Sequence, residues 1–282
     1  NCLDLPHQRK ARLRYNRRNM ERPSDRQTSE SIFPTVQVAV LAALLAFFFT
    51  LYLVSSFSLE SRAATIYFGA DTWHYTAVAA GQINDRIWRL HPVTVALALG
   101  WMKLLTPLSG FIAPATLLKS LFALTGAIGV ITAVFAFTPF VSRMQALLWA
   151  TVYGSSTTIW YFSSIEESKI VSATLVAIYI AFYVNFRTRW TRNRIALLSA
   201  VLLLACLNEI TAIFLVAIPV IETFLKHRFA TPQWRWVFVH LLVFPFALAI
   251  LETIRRIAPA IETEDGRNFF ELFFYYVSRN SY

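Results

Sequence analysis

The sequence predicts an all-α membrane protein: a polytopic helical bundle of about seven spans with short juxtamembrane helices in its first outer loop. Three observations carry this. Hydrophobic residues make up 56% of the 282-residue chain and charged residues only 15%, where a soluble domain carries roughly 25% charged residues. Apolar runs approach the ~20 residues needed to cross a bilayer, and they recur along the whole length. The basic residues are also unevenly placed. Eight of the 26 Lys and Arg fall in residues 1–30, and most others sit in short segments between apolar runs, the pattern that orients helices with their positive loops inside. The +10 net charge therefore reads as membrane orientation, with no nucleic-acid partner.

Residues 1–32 are polar, basic and aperiodic and read as a disordered cytoplasmic tail. The run 36–57 is the first span, inside to outside. Residues 58–114 form a long outer loop. Within it, 93–105 is apolar and bounded by Pro92 and Pro107, and a run of about 10–14 residues is more often interfacial than spanning. Parity agrees: the basic segments 187–194 and 226–228 both fall inside only if 93–105 does not cross. The remaining spans are 115–138 inward, 145–162 outward, 170–186 inward, 195–207 outward, 211–225 inward and 236–254 outward. The membrane module is thus 33–254, and 255–282 is an outer segment of what reads as part of a longer chain. The two cysteines, Cys2 and Cys206, fall at different depths and imply neither a disulfide framework nor a Cys metal site.

With this topology the outer face collects Asp71, His74, Asp85, Arg86, Arg89 and His91, then Glu166, Glu167 and Lys169, then Asn208 and Glu209. Ionisable residues beside the apolar zone are costly to place and are functional candidates by default. Each also has a structural reading. Asp71 fits a helix N-cap. Ser163 and Ser164 stand three residues before Glu166 and Glu167, the spacing of a capping box. His91-Pro92 suits a helix start, and Arg86 and Arg89 suit snorkelling to headgroups. Lys103 and Lys119, near the same boundary, share that ambiguity. Asn208 ends a helix. Glu209 has no adjacent basic residue, whereas Glu222 and Glu252 read as interfacial partners of Lys226 and of Arg255 and Arg256. Five scattered histidines do not define a metal site.

Four short motifs occur in order. They are Phe68-Gly69-Ala70-Asp71-Thr72-Trp73-His74-Tyr75, Leu90-His91-Pro92-Val93-Thr94, Ser163-Ser164-Ile165-Glu166-Glu167-Ser168-Lys169 and Leu207-Asn208-Glu209-Ile210-Thr211. Over residues 34–254 this layout resembles the GT-C glycosyltransferases, among them the protein O-mannosyltransferases and aminoarabinose transferases. Their first outer loop carries an acidic residue at a juxtamembrane helix start, and a second such helix opens with His-Pro or Lys-Pro. Where the family has an acidic pair in that loop, this chain has Asp71 followed by Thr72.

The resemblance implies a multipass enzyme moving a sugar from a polyprenyl-phosphate donor to a hydroxyl acceptor at the outer face. Asp71 is expected to take the acceptor's proton. His91, Arg89 and Lys169 are expected to hold the donor phosphate. Glu166 or Glu167 would orient the acceptor or hold a divalent metal ion, the one cofactor left open. His74 and Glu209 are further candidates. A transporter would instead place polar residues near mid-bilayer in pseudo-symmetric halves, and a non-catalytic scaffold would need no gathering of acids and bases at one face.

Overall fold

The computed structural model describes residues 33–63, 91–105, 107, 111–165, 167–186, 191–227 and 233–257, and among them every regular element is helical. In order these are α1 (Phe33–Ala63), α2 (Pro92–Leu104), α3 (Pro114–Phe137), α4 (Arg143–Ser155), α5 (Thr157–Ser163), α6 (Ser168–Phe186), α7 (Arg192–Asn208), a 3₁₀ segment (Ile210–Val216), α8 (Ala217–His227) and α9 (Gln233–Ile257). By internal contacts the chain forms two units, residues 1–44 and 45–282. In the first, the described residues are the opening of α1; the second holds the rest of α1 and every later helix.

Local chemistry starts several of these helices. Pro92 stands in the first turn of α2 and Pro114 opens α3, where a missing N–H costs nothing. Ser142 and Gln145 form a reciprocal capping box at α4. The Thr191 hydroxyl accepts from the Arg194 N–H at the start of α7.

Three helices are long and apolar enough to cross a membrane: Gln37–Phe57, Ala115–Phe137 and Ser168–Phe186. Three shorter apolar helices, Pro92–Leu104, Ile210–Glu222 and Phe238–Ile254, accompany them. Two of the expected spans differ in detail. The run 145–162 is not one helix, because Ser156 takes an extended conformation (ψ 141°) and divides α4 from α5. The run 211–225 begins as seven residues of 3₁₀ helix, longer than such stretches usually persist. At a 3₁₀ rise of ~2.0 Å per residue, this stretch reaches further than the same residues in α form.

The packing fixes relative directions. The Thr174 hydroxyl on α6 donates to the Thr125 carbonyl on α3, and the Asn185 amide donates to Phe135 O further along both helices, so α3 and α6 run parallel. Gly129 permits their close approach: a Cβ there would lie 2.8 Å from the Thr174 hydroxyl. On the other side of α3, Tyr52 donates to the Gly154 carbonyl (2.8 Å) and Trp160 to the Ser55 hydroxyl (3.0 Å), so α1 runs parallel to α4 and α5. Asn208 at the end of α7 meets Ser168 and Ser172 at the start of α6, so these two are antiparallel. The starts of α3 and α6 and the end of α7 therefore share one end of the bundle. Arg143, Arg192 and Arg194 lie at the other, Arg194 resting over the Phe186 ring at 5.1 Å.

The short helix α2 lies across the first of these ends. Near its start, Thr94 is bonded to Asn208. Near its finish, the Trp101 indole donates to the Leu117 carbonyl at the start of α3 (2.9 Å). Its two ends are thus tied to the end of α7 and to the start of α3, which lie at the same end of the bundle. Its Pro92, Thr94, Val95 and Ala98 are buried against the bundle.

Candidate functional site

The described part of the site is organised around Asn208, which is fully buried. Sequence reasoning made it a helix terminator, and it is the last residue of α7. Its side chain does more. The amide oxygen accepts from the Thr94 backbone N–H (2.9 Å) and the Thr94 hydroxyl (2.6 Å), while the amide nitrogen donates to the Ser172 hydroxyl (2.8 Å) and, at 3.4 Å, to the Ser168 carbonyl. Every donor and acceptor of that amide is engaged, which makes its burial affordable. The main chain adds a fifth link, with His91 Nδ1 at 2.7 Å from the Asn208 carbonyl oxygen.

The two helix termini thereby complete each other. Helix starts leave N–H groups without partners and helix ends leave carbonyls. His91 precedes α2 and offers no side-chain cap to it; Asn208 supplies one from another helix. In return, the His91 ring takes up a terminal carbonyl of α7. Three of the four motifs, far apart in the chain, meet at this knot: His91-Pro92, Glu167-Ser168-Lys169 and Asn208-Glu209.

Around it stand the charged groups. Lys169 Nζ pairs with Glu209 Oε2 at 2.8 Å, their side chains 47% and 25% exposed. A pair so open to solvent contributes about 0–1 kcal/mol. Glu167 is buried immediately before α6, with the Ser168 hydroxyl 3.3 Å from its Oε1. Lys119, left by the sequence between snorkelling and a functional role, is buried near the start of α3, its ammonium 5.3 Å from the centre of the Phe57 ring.

One structural reading from sequence is corrected: the Ser164 hydroxyl does not cap Glu167, whose N–H donates to the Ile165 carbonyl, while the box of Ser163 with Glu166 lies outside the described residues. Both serine hydroxyls donate backwards, to the Ile159 and Trp160 carbonyls of α5, because both residues still belong to the preceding helical turn. The Glu222 carboxylate accepts from the Tyr183 hydroxyl; its expected pairing with Lys226 rests on a side chain outside the described ones. Asp71, His74, Asp85, Arg86, Arg89 and Glu166 lie outside the described residues. Among the described residues no group of three or more His, Cys, Asp or Glu comes together to hold a metal. Asn208 itself was legible only as a turn residue; a neutral amide between two apolar runs carried the one available signal.

Compared with protein-family models, with curated proteins and with solved structures, the chain matches none.

Proposed function

We propose that this chain is the core of an integral membrane glycosyltransferase of the GT-C type, which moves a sugar from a polyprenyl-phosphate donor to a hydroxyl acceptor at the outer face. The single observation that carries the reading is the knot at Asn208. It brings the His-Pro helix start, the acidic-Lys motif and the Asn-Glu turn to one end of the bundle, as that chemistry needs. Lys169 supplies a half-exposed cation for the donor phosphate, with Arg89 from the outer loop. The phosphate leaves as a stable anion and needs positive charge and hydrogen-bond donors more than a proton. Asp71, Glu166 and Glu167 are the carboxylates that act on the acceptor's side. A divalent ion, if used, would draw on these same acids.

Seven spans are part of the proposal. Two short helices favour it by being apolar on the outside. In α8, Ile221 and Phe224 are 55% and 54% exposed while Glu222 turns to Tyr183. In α9, Leu242 is 66% exposed and His240 only 2%. Polar groups facing in and apolar groups facing out suit lipid as the solvent. The arginines at the end of the bundle opposite Asn208 favour that end as cytoplasmic.

One observation favours a transporter as the second reading. A polar set lies away from the knot, where Glu222 accepts from Tyr183, Tyr183 stacks on Tyr179 and the Ser199 hydroxyl is 3.5 Å from His240 Nδ1. The sequence reading had placed polar groups at one face only. The test is transfer of radiolabelled sugar from polyprenyl-phosphate donors in membranes carrying the protein. Acid-stable label in a new product supports the enzyme; solute uptake into sealed vesicles without transfer supports the transporter.

A further inference from the structure

Away from the knot, the bundle buries a second set of polar side chains. Tyr179 and Tyr183 stand four residues apart on one face of α6, their rings stacked at 6.3 Å and 10° from parallel. Tyr183 donates to the Glu222 carboxylate on α8. The His240 ring on α9 meets Tyr179 edge to face at 6.2 Å, and its Nδ1 is 3.5 Å from the Ser199 hydroxyl on α7. Tyr183 lies near the end of α6 and Ser199 near the start of α7, so the set falls in the half of the bundle toward Arg192.

One atom of this set is out of keeping with its setting. Tyr179 is wholly buried, and its hydroxyl has no hydrogen-bond partner among the described residues. Its helix is one of the three fit to cross a membrane, where no bulk water reaches a stranded polar group. A buried hydroxyl without a partner destabilises the fold. The core that holds it also contains Leu198, Leu202, Val243 and Ala247, which suit the ring and not the hydroxyl. Phenylalanine would fill the same space without that cost.

We infer that the Tyr179 hydroxyl binds a single buried water molecule, which links α6 to the polar groups of its neighbouring helices. A tyrosine hydroxyl donates one bond and accepts others, and water meets both needs. Buried waters make about three bonds and sit where polar groups gather. Tyr183 and Ser199 bring further hydroxyls, and a hydroxyl can accept two bonds beside the one it donates. The spacing suits one small molecule. A water about 2.8 Å from each of two oxygens spans up to about 5.6 Å, comparable with the 6.2 and 6.3 Å between these rings. A larger solute would have to part them, and an anion is disfavoured beside the Glu222 carboxylate. The water site explains polar groups that transfer chemistry at the other end of the bundle does not use, and it stands independently of the glycosyl-transfer reading.

Two measurements on the full chain in nanodiscs test this. The first compares thermal unfolding of Tyr179→Phe with wild type. The hydroxyl makes no bond to the described residues, so its removal costs stability only if another partner is bound. Tyr179→Phe is expected to melt about 2–4 °C lower. An unchanged or higher melting temperature overturns the inference, because deleting an unsatisfied hydroxyl is neutral or stabilising. The second is a map of the wild-type protein by electron cryomicroscopy, at a resolution that shows ordered waters. An isolated, water-sized peak about 2.6–3.0 Å from Tyr179 Oη is expected, and its loss in Tyr179→Phe. An empty map at that position overturns the inference, as does density continuous with a protein side chain. Elongated density also overturns it, and by making the occupant a larger solute would favour the transporter.

Discussion

The Asn208 side chain makes four hydrogen bonds, to Thr94, Ser168 and Ser172. Replacing it with alanine removes four side-chain hydrogen bonds and strands the buried Thr94 N–H. Each bond is worth roughly 0.5–1.5 kcal/mol net, and unsatisfied groups add to the cost. Asn208→Ala is expected to lower stability by about 2–4 kcal/mol, read as an earlier unfolding transition in detergent, whereas Thr94→Val should cost about 1 kcal/mol because the backbone bond survives. Equal losses in the two variants would mean that the knot is not centred on the amide. Asp71 offers a second contrast at this scale. Asparagine caps a helix as well as aspartate does and still accepts a hydrogen bond. Asp71→Asn should therefore keep its abundance in the membrane while turnover falls by about 10²–10⁴-fold, because an amide cannot take up the acceptor's proton. A near wild-type transfer rate in Asp71→Asn would leave the base to be sought at Glu166, Glu167 or Glu209.

At the scale of elements, the informative contacts are where helices come closest. A Cβ on Gly154 would lie 2.6 Å from Val130 Cγ2 and 2.7 Å from the Phe48 ring, so α1, α3 and α4 meet at a point with no spare room. Gly154→Leu should cost about 1–3 kcal/mol from overpacking, seen as a lower melting temperature in detergent; an unchanged value would show that the helices separate easily there. The same scale explains α2. Its 13 residues signalled a non-spanning helix by length, but length alone cannot tell a re-entrant helix from one lying flat. The bonds of Thr94 to Asn208 and of Trp101 to Leu117 tie its start to the end of α7 and its finish to the start of α3, two elements at the same end of the bundle.

For the whole molecule, the decisive question is which end of the bundle faces the cytoplasm. Single cysteines at Thr72 and Thr188, in a background with Cys2 and Cys206 replaced, should label from opposite sides of sealed vesicles. Labelling from the same side would remove the outer-face site altogether, since the knot at Asn208 and the arginines at the opposite end would then have been assigned to the wrong compartments. The interior of the bundle is consistent with a lipid surround. Its core of Tyr179, Leu198, Leu202, Cys206 and Ala247 is no more apolar than the exposed faces carrying Phe47, Trp149 and Leu242, and a protein dissolved in hydrocarbon has no reason to sort its apolar groups inward.

By itself the sequence determined that the chain is helical and carries apolar runs fit for a membrane, because apolar run length and the spacing of basic segments are local properties that need no partner; it counted about seven spans, and three helices are long and apolar enough to cross. It also marked His91, Glu167, Lys169 and Glu209 as worth watching, because charges beside apolar runs are rare. It misjudged Ser164, whose spacing to Glu167 fits a cap as well as a back-bonded helix end; only the course of the backbone at Ile165 distinguishes the two. It could not foresee the central role of Asn208, which depends on Thr94, Ser168 and Ser172, none of them nearby in sequence. Nor could it foresee that the His91 ring meets the Asn208 carbonyl, since only packing brings the two together. The tertiary structure decided those points, because a hydrogen bond between residues more than a hundred positions apart exists only once the helices that carry them have packed.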